Sequence, residues 1–163
     1  MPGKGHIMKK TVTCLIASVL LLAGCSTKKE TADVDLKELM TSITENTAYE
    51  FPAYMEVDDA TLETLYGISP DDLESYSVIV PMMNVSATEI AFFKAKDGKI
   101  DTVKKAVETR IQQLDSTWSQ YLPAQYELVE NRVVIESGNY YFLIISEYAE
   151  EIGKTCKAAL GVE

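Results

Sequence analysis

Two segments of this chain are apolar at every position, and they limit its architecture more than any other feature. Ile90-Ala91-Phe92-Phe93 and Tyr140-Tyr141-Phe142-Leu143-Ile144-Ile145 are rich in the β-branched and aromatic residues that strands favour. Successive side chains of a strand point to opposite faces. A sheet with one wet face therefore alternates apolar and polar residues, and these segments do not. Both faces of the sheet need cover. Helices from the same chain are the expected cover, because those at its two ends carry apolar stripes with no other place to go.

The remaining elements follow from periodicity and punctuation. Asp35-Leu36-Lys37-Glu38 has the form of a capping box. Leu36, Leu39, Met40 and Ile43 then recur at helical spacing, predicting a helix over 36–46. Residues 49–57 are irregular, with room for a short extended piece. Asp58 or Asp59 is expected to cap a short helix through Tyr66, closed by Gly67. Ser69-Pro70-Asp71-Asp72 starts another helical turn.

Residues 76–83 and 87–96 read as a first hairpin, and 132–136 with 140–146 as a second across Ser137-Gly138-Asn139. Between them a long helix is predicted over 102–121, capped by Asp101 and stopped by Pro123. Val103, Val107, Ile111, Leu114, Trp118 and Tyr121 form its stripe. One or two helical turns follow over 124–130, and a last helix covers 147–159. The fold class is α+β: an antiparallel sheet of about four strands, two hairpins in ββ-α-ββ order. The long central helix covers one face, and the N- and C-terminal helices cover the other. One globular domain is expected over 35–160.

The N-terminus carries a different signal. Lys9 and Lys10 precede an apolar run from Thr11 to Leu22, too short for a membrane span, and Leu22-Ala23-Gly24-Cys25 closes it. This resembles the signal peptide and lipobox of bacterial lipoproteins, with lipidation at Cys25 and removal of residues 1–24. Met8 reads as a more natural start than Met1, which leaves 1–7 as an upstream extension. Residues 25–34 form a polar tether. The expected location is the extracytoplasmic face of the cell membrane, held by lipid such as palmitate.

Charge and composition exclude several functions. The whole chain carries −10; loss of residues 1–24 removes Lys4, Lys9 and Lys10 and no acid, which leaves −13. That balance disfavours nucleic acid, whose binding depends on neutralising phosphates. The single histidine, His6, lies in the removed part. Ser-His and Cys-His catalysis and His-ligated metal sites are thereby absent from the mature chain. Cys14 leaves with the signal and Cys25 takes the lipid, so Cys156 stands alone, on the apolar side of the last helix as a buried thiol.

Among possible site residues, Glu89 shares a strand face with Ala87, Ala91, Phe93 and Ala95. It is the weak candidate for a ligand-binding or acid-base carboxylate, against placement at the sheet rim or pairing with Lys or Arg. Asp58, Asp59, Asp71 and Asp72 match no Ca²⁺ loop and have capping work to do. No metal or cofactor is expected. Ser26-Thr27-Lys28-Lys29 matches Ser-x-x-Lys in form only. Met55, Met82 and Met83 suit an adaptable groove, with core filling the stronger expectation.

Several spaced motifs resemble a known family: Leu65-Tyr66-Gly67-Ile68; Tyr76, Pro81 and Met83; Ser86 to Ala95; Arg110 in the long helix; and Gly138-Asn139-Tyr140. With the lipobox they are similar to small lipoproteins of mainly Gram-positive, clostridia-like bacteria, built on a domain of unknown function. The resemblance spans about 35–155. It implies an extracytoplasmic α+β lipoprotein domain and assigns no catalytic residue. The expected function is a non-enzymatic binding or accessory module at the cell envelope, its partner an envelope protein or small ligand. The alternatives are a carboxylate-based glycan-cleaving enzyme using two of Glu56, Asp58, Glu89 and Glu136, or a small solute-binding lipoprotein.

Overall fold

A computed structural model describes residues 31–162. The signal segment and Cys25 lie outside the described residues. Five strands form one antiparallel sheet: β1 (Tyr54–Glu56), β2 (Leu73–Pro81), β3 (Glu89–Ala95), β4 (Val133–Ser137) and β5 (Tyr140–Ile145), in the order β1-β2-β3-β5-β4. The two expected hairpins are β2-β3 and β4-β5. The fifth strand, β1, comes from the irregular 49–57 segment and pairs only with the last third of β2.

Helices cover both faces. On one lie α2 (Asp59–Tyr66), α3 (Ile100–Trp118) and α4 (Pro123–Glu130); on the other lie α1 (Leu36–Thr44) and α5 (Ala149–Leu160). The doubly apolar strands are the reason. On β3, Ala91 and Phe93 face the α3 layer while Ile90 and Phe92 face the α1/α5 layer. All six β5 residues are buried, and Tyr140 and Tyr141 anchor opposite layers. The central strands pair in register as Ile90↔Ile144 and Phe92↔Phe142. The two Phe rings lie 4.5 Å apart in the α1/α5 layer.

The local chemistry of the element ends is readily assigned. The Asp35 carboxylate accepts from the Lys37 and Glu38 N–H groups, at 2.9 and 3.1 Å, and starts α1. Asp58 does the same for α2 through Thr61 N–H, and Gly67 ends that helix at φ 66°. Asp101 is not the cap of α3. The turn at Asp97-Gly98, bonded Lys99 N–H to Lys96 C=O, delivers the chain directly into the helix at Ile100, which leaves Asp101 inside its first turn. The helix ends at Trp118, before Pro123, which instead occupies the first turn of α4. Tyr121 therefore leaves the stripe and is exposed.

Thr31 to Val34, read in sequence as tether, pack across the end of the sheet. Thr31 Oγ1 meets Ser137 Oγ at 2.8 Å, and Ala32 N–H donates to Leu160 C=O. Val34 N–H donates to the Tyr140 hydroxyl, which donates to Asp33. Lys94 then bridges Asp33 at 3.0 Å and Glu74 at 2.6 Å. Asp33 is held below the usual carboxylate value by its hydrogen bonds from Lys94 and Tyr140.

Candidate functional site: a buried ion pair and a sheet-edge groove

Glu89 sits at the start of β3 on the α3 face, with its side chain 2 % exposed. Two helices meet it there. Arg110, one turn beyond Val107 on α3, donates Nη2 to Oε2 at 2.7 Å and Nε to Oε1 at 3.1 Å. Tyr66, the last residue of α2, donates its hydroxyl to Oε1. The guanidinium also lies over the Tyr66 ring, 5.9 Å from its centre. Both carboxylate oxygens are thus taken by charge-assisted bonds in a forked geometry. Burial and then the Glu89 charge push the Tyr66 phenol well above its ordinary value, so it remains a donor. The cluster ties α2, β3 and α3 together and engages both oxygens of a carboxylate that burial also withdraws from solvent.

The other named carboxylates do not join this cluster. Glu136 on β4 pairs with Lys104 at 2.7 Å. Asp58 caps α2 and Asp59 accepts from the Tyr76 hydroxyl at 2.6 Å. Asp72 pairs with Lys99 at 2.7 Å. Glu56 stands opposite Ile79, which stands opposite Ile90, so it faces the α1 layer and Glu89 the α3 layer. Glu56 and Glu136 lie on the two outer strands, four strand spacings or about 19 Å apart. Glycoside cleavage by a carboxylate pair uses about 5 to 10 Å. Among the described residues, no group of three or more His, Cys, Asp or Glu is placed to hold a metal ion. Cys156 is fully buried on the inner side of α5, and burial pushes its thiol up to about 12.

An open site lies elsewhere, at the β2 edge. A groove of about 550 Å³ runs between α1 and the outer side of β2, a size suited to a small ligand or peptide segment. Lys37, Met40, Thr41 and Thr44 of α1 form one wall. Ser75, Ser77 and Ile79 present their side chains from β2, because they alternate with the core-facing Tyr76 and Val78. Tyr54 and Glu56 of β1 close one end, and Asp59 and Pro70 lie along the far rim. The exposed apolar residues include Met55, Met82 and Met83. The latter two occupy the loop that follows Pro81, the last residue of β2, rather than the core.

The domain of unknown function called DUF4358 matches residues 47–146. The chain belongs to this family. The DUF4358 segment contains all five strands, from β1 to β5, together with α2, α3 and α4. It includes the whole Tyr66–Glu89–Arg110 cluster and the β1 and β2 walls of the groove; α1 and α5 lie outside it. No curated protein and no solved structure matches the chain. Three residues that carried the resemblance in sequence, Tyr66, Glu89 and Arg110, thus converge on one buried point.

Nothing in sequence periodicity points to the groove, since serines on a strand read as an ordinary wet face. The Arg110 partnership did leave a signal. Arg110 lies three residues after Val107 and seven after Val103, so a cation sits in phase with the apolar stripe of α3. An acid in phase with an apolar strand face is its natural complement.

Proposed function

We propose that this chain is an extracytoplasmic lipoprotein of the kind found mainly in Gram-positive, clostridia-like bacteria, lipidated at Cys25. Its domain is a non-enzymatic binding or accessory module at the cell envelope. The observation that carries the binding assignment is the α1/β2 groove, open and polar-lined, whereas the buried Glu89 is already neutralised by Arg110. Anchoring is supported by Leu22-Ala23-Gly24-Cys25. No helix among the described residues is long and apolar enough to cross a membrane. Cys25 is six residues from Thr31, so at about 3.6 Å each the packed arm starts no more than about 22 Å from the lipid.

Two measurements test the two halves of the proposal. Palmitate incorporation and membrane retention are expected in the native protein and lost in Cys25→Ser; unchanged labelling and retention would overturn the anchor. A photocrosslinker at Thr41, in the groove wall, is expected to yield a defined adduct in cells. The same group at Glu127, exposed on α4 across the sheet, serves as the control. Equal adducts from both positions would overturn the groove as the binding place.

A further inference from the structure

β2 is nine residues long, but β1 pairs with only Ile79, Val80 and Pro81 of it. One further bond, Val57 N–H to Val78 C=O, extends the pairing before the chain turns into α2. Leu73 to Ser77 therefore form an open edge on an otherwise paired strand. The direction of its polar groups is fixed. Val78 C=O and Met82 N–H bond toward β1 and its approach, so by the period of two Tyr76 also turns its N–H and C=O outward. Among the described residues no backbone group meets them there. The groove lies along this edge, since its lining runs without interruption from Leu73 to Ile79.

An open strand edge, a helix along one side and a groove between them is the geometry in which an extended peptide adds a strand. Main-chain bonds supply affinity, and alternate side chains of the peptide point to the two walls. Here one set would meet Met40 and Thr44, and the other would meet Asp59 and Pro70. Charge selects the occupant. The groove is lined by Glu56, Asp59 and Glu74 against one cation, Lys37. The adjoining shallow depression adds Asp33, Asp35 and Glu38 against Lys94, which pairs with both Asp33 and Glu74, so the acids still outnumber the cations. A second copy of this chain, itself strongly acidic, would be repelled.

We infer that the open edge of β2 binds an extended basic segment of a partner protein as a sixth strand, continuing the line of β1. This rests on the binding-module reading and deepens it. The Glu74 bulge, where the register to β3 shifts between Leu73 and Ser75, marks the outer end of the slot. It turns Glu74 toward Lys94 and away from the ladder. The slot is five residues long, so five or six peptide residues fill it.

The test uses the lipidated protein in phosphatidylcholine vesicles and a blocked hexapeptide of alternating lysine and valine. Binding by fluorescence anisotropy is expected, with backbone exchange over residues 73–79 slowed at least tenfold. Proline at the centre of the peptide, or Glu56→Lys in the exposed β1 strand, is expected to weaken binding at least tenfold. Four results would each overturn the inference: no binding at millimolar peptide, equal binding of a glutamate-valine peptide, an unaffected proline peptide, or protection located elsewhere. Concentration-dependent protection of 73–79 without peptide would overturn it in favour of a second copy. None of these touches the palmitate or Thr41 crosslinking results, so the two readings fail separately.

Discussion

A carboxylate inside a hydrophobic layer is stable only if its charge is met there. Glu89 is buried between Ala91, Phe93 and the α3 stripe, and an ion of its size loses several kcal/mol of hydration on burial even after relaxation. Arg110 and Tyr66 return three hydrogen bonds. The asymmetry between breaking and replacing such a pair gives a sharp expectation. Arg110→Met leaves the charge uncompensated, and should cost about 3 to 5 kcal/mol in urea unfolding. Replacing both partners by apolar residues, Arg110→Met with Glu89→Leu, should recover most of that loss, because no orphan charge remains. A single-variant loss below about 1 kcal/mol would show that Glu89 finds water or another partner, contrary to its near-complete burial.

At the scale of elements, α5 lies against the edge strand β4 at one unusually close point. Gly153 stands in mid-helix, where glycine costs about 1 kcal/mol relative to alanine. A Cβ at that position would lie 3.0 Å from Val133 Cγ1, tighter than ordinary contact. Gly153→Ala should therefore lower stability by about 1 kcal/mol, the helix gain being outweighed by overpacking of about 1 to 3 kcal/mol. With Val133→Ala added the helix gain should reappear, so the pair should be more stable than Val133→Ala alone. Additive effects in the thermal melts of the four proteins would refute the contact.

The same scale shows what was legible in sequence and why. The two hairpins, α1 with Asp35, α2 with Gly67 and the helical cover of both faces were readable, because each follows from local chemistry or from apolar periodicity. For β1 the sequence allows a short extended piece within 49–57 but not its place in the sheet, since three exposed residues carry no pattern and are defined only by pairing with β2. Thr31 to Val34 read as tether because their order comes from distant partners, Lys94, Ser137, Tyr140 and Leu160. The groove likewise exists only where α1 is laid beside a strand edge that β1 is too short to cover. Glu89 stands out in sequence by its strand face, but its partners lie 21 and 23 residues away and need the fold to meet it.

At the scale of the whole molecule, two hydrophobic layers share one sheet, and the question is whether they can melt separately. The α3 layer holds Trp118 and the α1/α5 layer holds Cys156. Every β3 and β5 side chain that serves one layer is flanked along the strand by residues serving the other. Losing either layer would expose one face of both central strands, including Phe92 and Phe142 or Phe93 and Leu143. At roughly 1.5 to 3 kcal/mol for each large side chain, that exposure exceeds the stability of a typical domain. The two layers should therefore unfold as one unit. The chain from Ser26 onward contains a single Trp and a single Cys, so each layer has its own reporter. Trp118 fluorescence and the accessibility of Cys156 to a thiol reagent should give the same urea midpoint. The thiol should be unreactive in the native baseline, as its burial and its shift up to about 12 require. A Cys156 midpoint below the Trp118 midpoint would mean that α5 peels from the sheet on its own, and that the groove's α1 layer is held less firmly than the β2 edge it covers.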